Sequence, residues 1–133
     1  MAELTDAVRE LLKAPTFWQL GTINPDGRAQ INPMWIDLEG DNIVLNTAIG
    51  RQKEKNMRRD PRVTLATTEP DNPYQYIEIR GDIVEFIEGD EAEAGIDKLA
   101  KKYLGKDEYP WRQEGEERVK MRVEPNYVYH MIR

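Results

Sequence analysis

The chain contains neither cysteine nor serine, and it has a single histidine, His130. Without cysteine there is no disulfide framework, no thiolate nucleophile and no zinc site built on thiolates. Without serine, a Ser-His-Asp arrangement is impossible. His130 has no sequence partner with which to build a metal site, so none is expected. The G-x-G-x-x-G and Walker patterns are missing as well. Carboxylates are plentiful but none falls in a distinctive pair, and no side chain is assigned as catalytic. If the protein is an enzyme, a bound cofactor carries the reactive chemistry. No apolar run approaches the ~20 residues of a membrane span. The start Met1-Ala2-Glu3 lacks the basic opening of a secretory signal. The expectation is a soluble cytoplasmic protein, without membrane or nucleic-acid partners.

What is present fits one domain, residues 1–133, with no internal repeat or linker. Charged residues make up 33% and the hydrophobic class only 39%, so the core of one chain is modest. Burial at a subunit interface would add to it, and a homodimer is expected. Leu4, Val8, Leu11 and Leu12 have helical spacing over residues 3–13, ended by Ala14-Pro15. Residues 17–23 read as a strand, and Asn24-Pro25-Asp26-Gly27 as a turn leading into a hairpin. The second strand, Arg28 to Leu38, carries Arg28, Gln30, Asn32 and Met34 on one face. Ala29, Ile31, Pro33 and Trp35 fall on the other. Pro33 cannot donate to a ladder, so this strand lies at an edge or breaks there.

A third strand is centred on Ile43-Val44-Leu45, and a fourth spans residues 63–68. After a loop at 69–73, residues 76–86 alternate until the phase flips at Val84, which predicts a bulge between Gly81 and Val84. Asp90 with Glu93 opens a helix closed by Gly105, residues 106–115 form an irregular loop, and a last strand runs from Val119 past Pro125 to Met131. The sum is a mainly β fold with about three helices: a small six-stranded antiparallel β-barrel.

The most informative stretch is Asn46 to Val63, which reads as a strand end, a sharp turn at Gly50, a short basic helix and a stop at Asp60-Pro61. The chain carries −6 overall, yet residues 51–62 hold six basic and two acidic groups. That local +4 leaves −10 on the remainder. A lysine and arginine run is commonly no more than a solvated face. Here, however, Arg51 and Lys53 fall where the helix begins. Free backbone N–H groups and the positive end of the helix dipole favour an anion at that point. Basic side chains are out of place there unless something negative binds, and a phosphate clamp fits that requirement.

Two patterns, Gly27-Arg28-Ala29-Gln30-Ile31-Asn32-Pro33 and Asn46-Thr47-x-x-Gly50-Arg51-x-Lys53-x-x-Asn56-Met57-x-x-Asp60-Pro61-Arg62-Val63, resemble the pyridoxamine 5′-phosphate oxidase-like split-barrel superfamily. Within it the chain is more similar to the flavin/deazaflavin oxidoreductases, the branch that binds coenzyme F420. Lys102-Tyr103-Leu104-Gly105 through Tyr109-Pro110-Trp111, and Val123 to Tyr129, resemble that branch too. The likeness spans roughly residues 5–130.

It implies a six-stranded split barrel (the FMN-binding split barrel) and a homodimer with the cofactor in a groove at the subunit interface. Arg51 and Lys53 match the phosphate-binding pair. Thr47, Ala48, Ile49 and Gly50 match the segment whose backbone lines the tricyclic ring. Gln30 and Asn32 match polar positions that approach the ring, and Tyr76 an aromatic near the cofactor. Asn56 reads instead as a cap or helix-packing residue. Trp35, Tyr109 and Trp111 are candidates for an apolar substrate pocket.

The chain departs from true pyridoxamine-phosphate oxidases: it is shorter, and Val128 to Arg133 lacks their arginine-rich terminal segment. The implied activity is an F420-dependent reductase that passes a hydride to an electron-poor double bond. The excess of Lys55, Arg58, Arg59 and Arg62 would suit the anionic oligoglutamate tail of that coenzyme. An FMN-dependent oxidoreductase of the same fold, and a carrier of flavin or deazaflavin without turnover, stand as alternatives. Single-stranded nucleic acid binding is opposed by the net charge and by aromatics that do not interleave with the basic run.

Overall fold

Seven strands form one antiparallel sheet in the order β2-β1-β5-β6-β7-β4-β3 in the computed structural model, which describes residues 1–131. The strands are β1 (Trp18–Ile23), β2 (Ala29–Met34), β3 (Asp37–Glu39), β4 (Asn42–Ala48), β5 (Arg62–Glu69), β6 (Asn72–Glu88) and β7 (Arg118–His130). Three helices join them: α1 (Asp6–Lys13), α2 (Gln52–Arg59) and α3 (Asp90–Leu104). No helix among the described residues is long and apolar enough to cross a membrane.

The edge strands explain the shape. β2 and β3 lie at opposite edges of the sheet, yet only Trp35 and Ile36 separate them in sequence. A chain advances at most about 3.6 Å per residue, so those two strand ends stay within roughly 11 Å of each other. The sheet must therefore curl until its edges approach at that end. No hydrogen-bonded pairing joins β2 to β3 among the described residues, so the curl is not closed by a ladder.

The expected count of six strands is corrected here to seven. The segment from Arg28 to Leu38 is two strands, because the chain has to leave one edge of the sheet and join the other. Pro33 sits opposite Gln19 on the outermost strand, where its missing N–H deprives no neighbour. The expected loop at 69–73 shrinks to a two-residue turn at Pro70-Asp71, since β5 and β6 keep pairing to Glu69 and Asn72. The final strand stops at His130, one residue short of the expected Met131, and Ile132 and Arg133 of the terminal segment lie outside the described residues.

The inside of the curl is the core. Trp18, Leu20, Ile43, Leu45, Leu65, Ile77, Ile79, Val119, Met121 and Val123 point into it from the strands, with Leu12 of α1 and Met57 of α2 closing its ends. α3 covers the other face of β4 and β7, where alternation puts Arg118, Lys120 and Arg122. That face is polar but compensated. Lys120 Nζ lies 2.9 Å from Glu39 and 3.2 Å from Glu91, while Arg122 reaches Glu39 at 2.8 Å and Glu85 at 2.9 Å.

The anticipated bulge is present: the β6–β7 register slips between Ile83 and Glu85, and again between Arg80 and Gly81. At Gly81 the two backbones come unusually close. A Cβ there would stand 2.6 Å from the Glu124 carbonyl oxygen and 2.7 Å from Val123 Cγ1. Backbone cannot step aside as a flexible side chain can. Gly81→Ala is expected to destabilise the protein by about 2 kcal/mol. A lower urea midpoint at unchanged slope would register this, and an unshifted midpoint would show that the strands can part at no cost.

Candidate functional site

The site is assembled from the end of β4, the start of α2, the break between β2 and β3, and the loop leading into β7. After Ala48 the chain turns at Gly50 with φ +102°, a conformation that disfavours any side chain. Arg51 then occupies the N-cap position of α2 without capping it by its side chain. Glu54 takes over part of that task, its carboxylate accepting from the Gly50 N–H at 2.9 Å and from Arg58 Nε at 2.7 Å. Asn56 anchors the same helix to the β1–β2 hairpin. Its amide donates to Asn24 Oδ1 at 2.9 Å, Thr22 Oγ1 at 3.1 Å and Gln30 Oε1 at 3.3 Å.

This anchoring presents Arg51 and Lys53 to a recess of about 210 Å³, which is also lined by Met34, Asn46, Tyr109 and Arg118. Lys53 Nζ meets the Met34 sulfur at 3.0 Å, a weak acceptor, and has no carboxylate partner among the described residues. Burial, then the like charges of Arg51 and Arg118, bring its pKa down to about 8 from an ordinary 10.5. Arg118 is 3% exposed. Its Nε donates to Asn46 Oδ1 at 2.9 Å, and the Asn46 amide donates to the Ala92 carbonyl at 2.9 Å, which fixes the way round that amide sits. Nη1 of Arg118 is buried without a hydrogen-bond partner among the described residues. One carboxylate, Glu116, faces the cluster, 3.4 Å from Arg118 and 3.8 Å from Arg51. Among the described residues three cations thus face one anion, and the recess carries a net positive charge.

Aromatic rings wall the recess. Trp35 stacks on Tyr103 with centroids 5.4 Å apart and planes at 8°. Tyr103 is itself pinned, donating to the Thr16 carbonyl at 2.7 Å and accepting from the Ile36 N–H at 3.2 Å. Tyr109 and Trp111 pack against Trp35 at 6.0 and 6.1 Å, and the Arg118 guanidinium lies 5.1 Å from the Tyr109 ring centre.

The structure thus brings together Arg51, Lys53, Trp35, Tyr109 and Trp111. It distributes the other candidates around them. Gln30 and Asn32 are half-buried on one face of β2, and Gln30 is bound to Thr22 and Asn56. Thr47 and Ala48 are buried at the end of β4, and the Thr47 hydroxyl has no hydrogen-bond partner among the described residues. Ile49 and Gly50 reach the surface. Tyr76 lies elsewhere, packed on Tyr129 at 5.6 Å beside a separate groove lined by Gln19, Ala66 and Thr68. Phe17 borders both that groove and the recess. Of the remaining basic residues in the segment, Arg58 pairs with Glu54 and Glu88, Arg59 with the Ile23 carbonyl and Asn56, and Arg62 with Asp60.

Arg118, Asn46 and Glu116 were not anticipated from sequence. Arg118 is a charged residue on the side-chain phase opposite to Val119, which in a strand reads as ordinary solvent exposure. Among the described residues no group of three His, Cys, Asp or Glu side chains is placed to hold a metal.

No curated protein sequence matches the chain. Among solved structures it resembles an F420 reductase at 30% identity, covering 95% of this chain and 98% of that one with a TM-score of 0.82. A conserved hypothetical protein of Mycobacterium tuberculosis matches at 24% identity over 96% of this chain and 84% of that one, with a TM-score of 0.76. The heme storage protein HutZ of Vibrio cholerae matches at 12% identity over 97% and 95%, TM-score 0.67. These last two show the fold alone. The curled seven-stranded sheet is therefore a known framework, and the family model for pyridoxamine 5′-phosphate oxidase matches residues 4–132, almost the whole chain. On that match the protein belongs to the pyridoxamine 5′-phosphate oxidase family, within the split-barrel superfamily that also includes the F420 reductase.

Proposed function

We propose that the protein is a coenzyme F420-dependent oxidoreductase, acting as a cytoplasmic homodimer. The observation that carries this is the cluster of Lys53, Arg51 and Arg118, in which one ammonium has only a thioether for company and a buried guanidinium nitrogen has, among the described residues, a loose ion pair with Glu116 but no hydrogen bond. Both shortfalls are ones that phosphate oxygens would meet. The likeness to an F420 reductase across nearly the full chain supports the choice of coenzyme. When bound, the reduced deazaflavin supplies a hydride to an electron-poor double bond such as that of an enone or quinone. The chain contributes the rest. Arg51, Lys53 and Arg118 would hold the phosphate, Gln30 and Asn32 would approach the ring, and Trp35, Tyr109 and Trp111 would exclude water and line an apolar substrate pocket.

At about 210 Å³ the recess is smaller than the ~300–1,000 Å³ of a typical ligand pocket, so it suits the phosphate end of the coenzyme and leaves the ring to be covered by a second subunit. The outer face of β1, β2 and β5, with Ile31 64% exposed beside Ile23 and Ala66, offers the apolar surface for that subunit.

A second reading, FMN in place of F420, draws on the pairing of Arg58, Arg59 and Arg62 with groups of the protein itself, which leaves them less to offer an oligoglutamate tail. Titrating F420 and FMN side by side into the apo-protein separates the two. The expected result is tighter binding of F420 and hydride transfer to a panel of activated alkenes and quinones. Tighter FMN binding would reverse the assignment, and tight F420 binding with no turnover on any acceptor would make the protein a carrier.

A further inference from the structure

The cation cluster is not entirely without a counter-ion, and the one it has is poorly held. The Glu116 side chain is 9% exposed, in the last turn before β7. It lies between Arg51 and Arg118, at 3.8 and 3.4 Å. Neither contact has the geometry of a hydrogen bond, and Oε2 of Glu116 and Nη1 of Arg118 are both buried and unpartnered though they face each other. The half-buried Arg122, by contrast, closes on Glu39 at 2.8 Å, and loose pairs such as Arg28 with Asp26 at 3.8 Å lie out in solvent. A carboxylate set between two guanidinium groups at 3.4 and 3.8 Å, looser on both sides than a closed ion pair, occupies the place of an anion without being well fitted to it.

We infer that Glu116 is an internal stand-in for the anionic group of the ligand, neutralising Arg51 and Arg118 in the ligand-free protein and being displaced when a phosphate enters. The inference rests on the reading of the recess as an anion site. Its physical content is a competition. Two charges about 4 Å apart interact strongly at the partial burial found here, so a phosphate must overcome the carboxylate's hold on both arginines as well as its own loss of water.

The arrangement also makes Glu116 a determinant of selectivity. Inorganic phosphate, largely a dianion near neutral pH, has the charge to displace it; acetate, chloride and the phosphodiester of F420 each carry one charge there, so the coenzyme displaces it only with the help of its ring contacts. Displacement would be felt in the loop itself. Glu116 N–H bonds the Gln113 carbonyl at 3.1 Å, and the same loop carries Tyr109 and Trp111 onto Trp35. Phosphate binding should therefore change the fluorescence of these tryptophans.

The test is to titrate the wild-type protein and Glu116→Gln with inorganic phosphate, acetate and F420 at low ionic strength, by calorimetry and tryptophan fluorescence. Glu116→Gln is expected to bind phosphate about tenfold tighter than wild type and to discriminate less between phosphate and acetate. Glu116→Asp keeps the charge on a shorter arm and should fall between the two, which preserves the test if the glutamine variant fails to fold. Wild type that binds F420 while Glu116→Gln binds phosphate and F420 no better would overturn this inference and leave the coenzyme reading standing. Tighter phosphate binding by Glu116→Gln with no F420 binding by either protein would do the reverse. No anion binding by any of the three removes both.

Discussion

Replacing Lys53 by methionine is expected to make the ligand-free protein more stable and to remove most of its coenzyme affinity. In the folded state Lys53 is held near pKa 8, against an ordinary 10.5, by burial and by Arg51 and Arg118. The folded protein therefore gives up this proton more readily than the unfolded chain. Below about pH 8 both states carry the charge, and the folded state bears the full cost of keeping it. Between about 8 and 10.5 the folded state releases the proton first, so the cost fades as pH rises. The full shift corresponds to about 3 kcal/mol, and partial solvent access at the mouth of the recess reduces it to about 2 kcal/mol.

Lys53→Met removes the charge and keeps a flexible apolar side chain against Met34. At pH 7 the variant should melt several degrees above wild type. That advantage should shrink as pH climbs from 8 to 10.5. Binding should move the other way. A charge-assisted bond to phosphate is worth about 1.5–3 kcal/mol, so the dissociation constant should rise about 100-fold. In wild type a bound anion restores the proton, so complex formation above pH 8 should take up protons and weaken as pH rises. Calorimetry in two buffers of different ionisation enthalpy measures that uptake. A variant that melts lower and binds equally well would place Lys53 outside the site.

The same residue shows how far the sequence could be read. Arg51 and Lys53 were legible because a local excess of positive charge at the start of a helix contradicts the helix dipole. A contradiction of that kind is visible without coordinates. The Trp35, Tyr109 and Trp111 grouping was legible only as a list of aromatics in breaks and loops; their convergence depends on Tyr103, which reaches back from α3 to stack on Trp35. Arg118 was invisible because its burial is made by α3 lying across β7, a contact between segments distant in sequence. The division of the second strand was hidden for a related reason. Met34, Trp35 and Ile36 continue an apolar run in strand-compatible residues, and nothing local reveals that β2 and β3 belong to opposite edges. The bulge near Val84 and the edge position of Pro33 were readable because each is forced by its own backbone or by the phase of its own strand.

Asn56→Ala should be strongly destabilising, although Asn56 has no place in the cation cluster. The residue is fully buried and acts in both senses: its amide donates to the hairpin, and its carbonyl oxygen accepts from Gln52 Nε2 at 2.8 Å and from Arg59. Truncation leaves Asn24 and Thr22 without their donor and opens a void where the amide stood. The lost bonds and the small cavity together are expected to cost roughly 3 kcal/mol. Gln52→Ala, which removes one partner from an exposed position, should cost under about 0.5 kcal/mol. Because the lost bonds tie α2 to the β1–β2 hairpin, the start of α2 that carries Arg51 and Lys53 loses its fixed relation to β2. Coenzyme affinity should fall even under conditions where the variant remains folded. The coupling to the hairpin can be isolated by combining Asn56→Ala with Thr22→Val. If the two groups act as one hydrogen-bonded unit, the double variant should be about 1–2 kcal/mol more stable than the sum of the single changes allows. Additive losses would mean that Asn56 acts through volume alone, and the anchoring of the cation-bearing helix would then have to be sought in the packing of Met57 against the core.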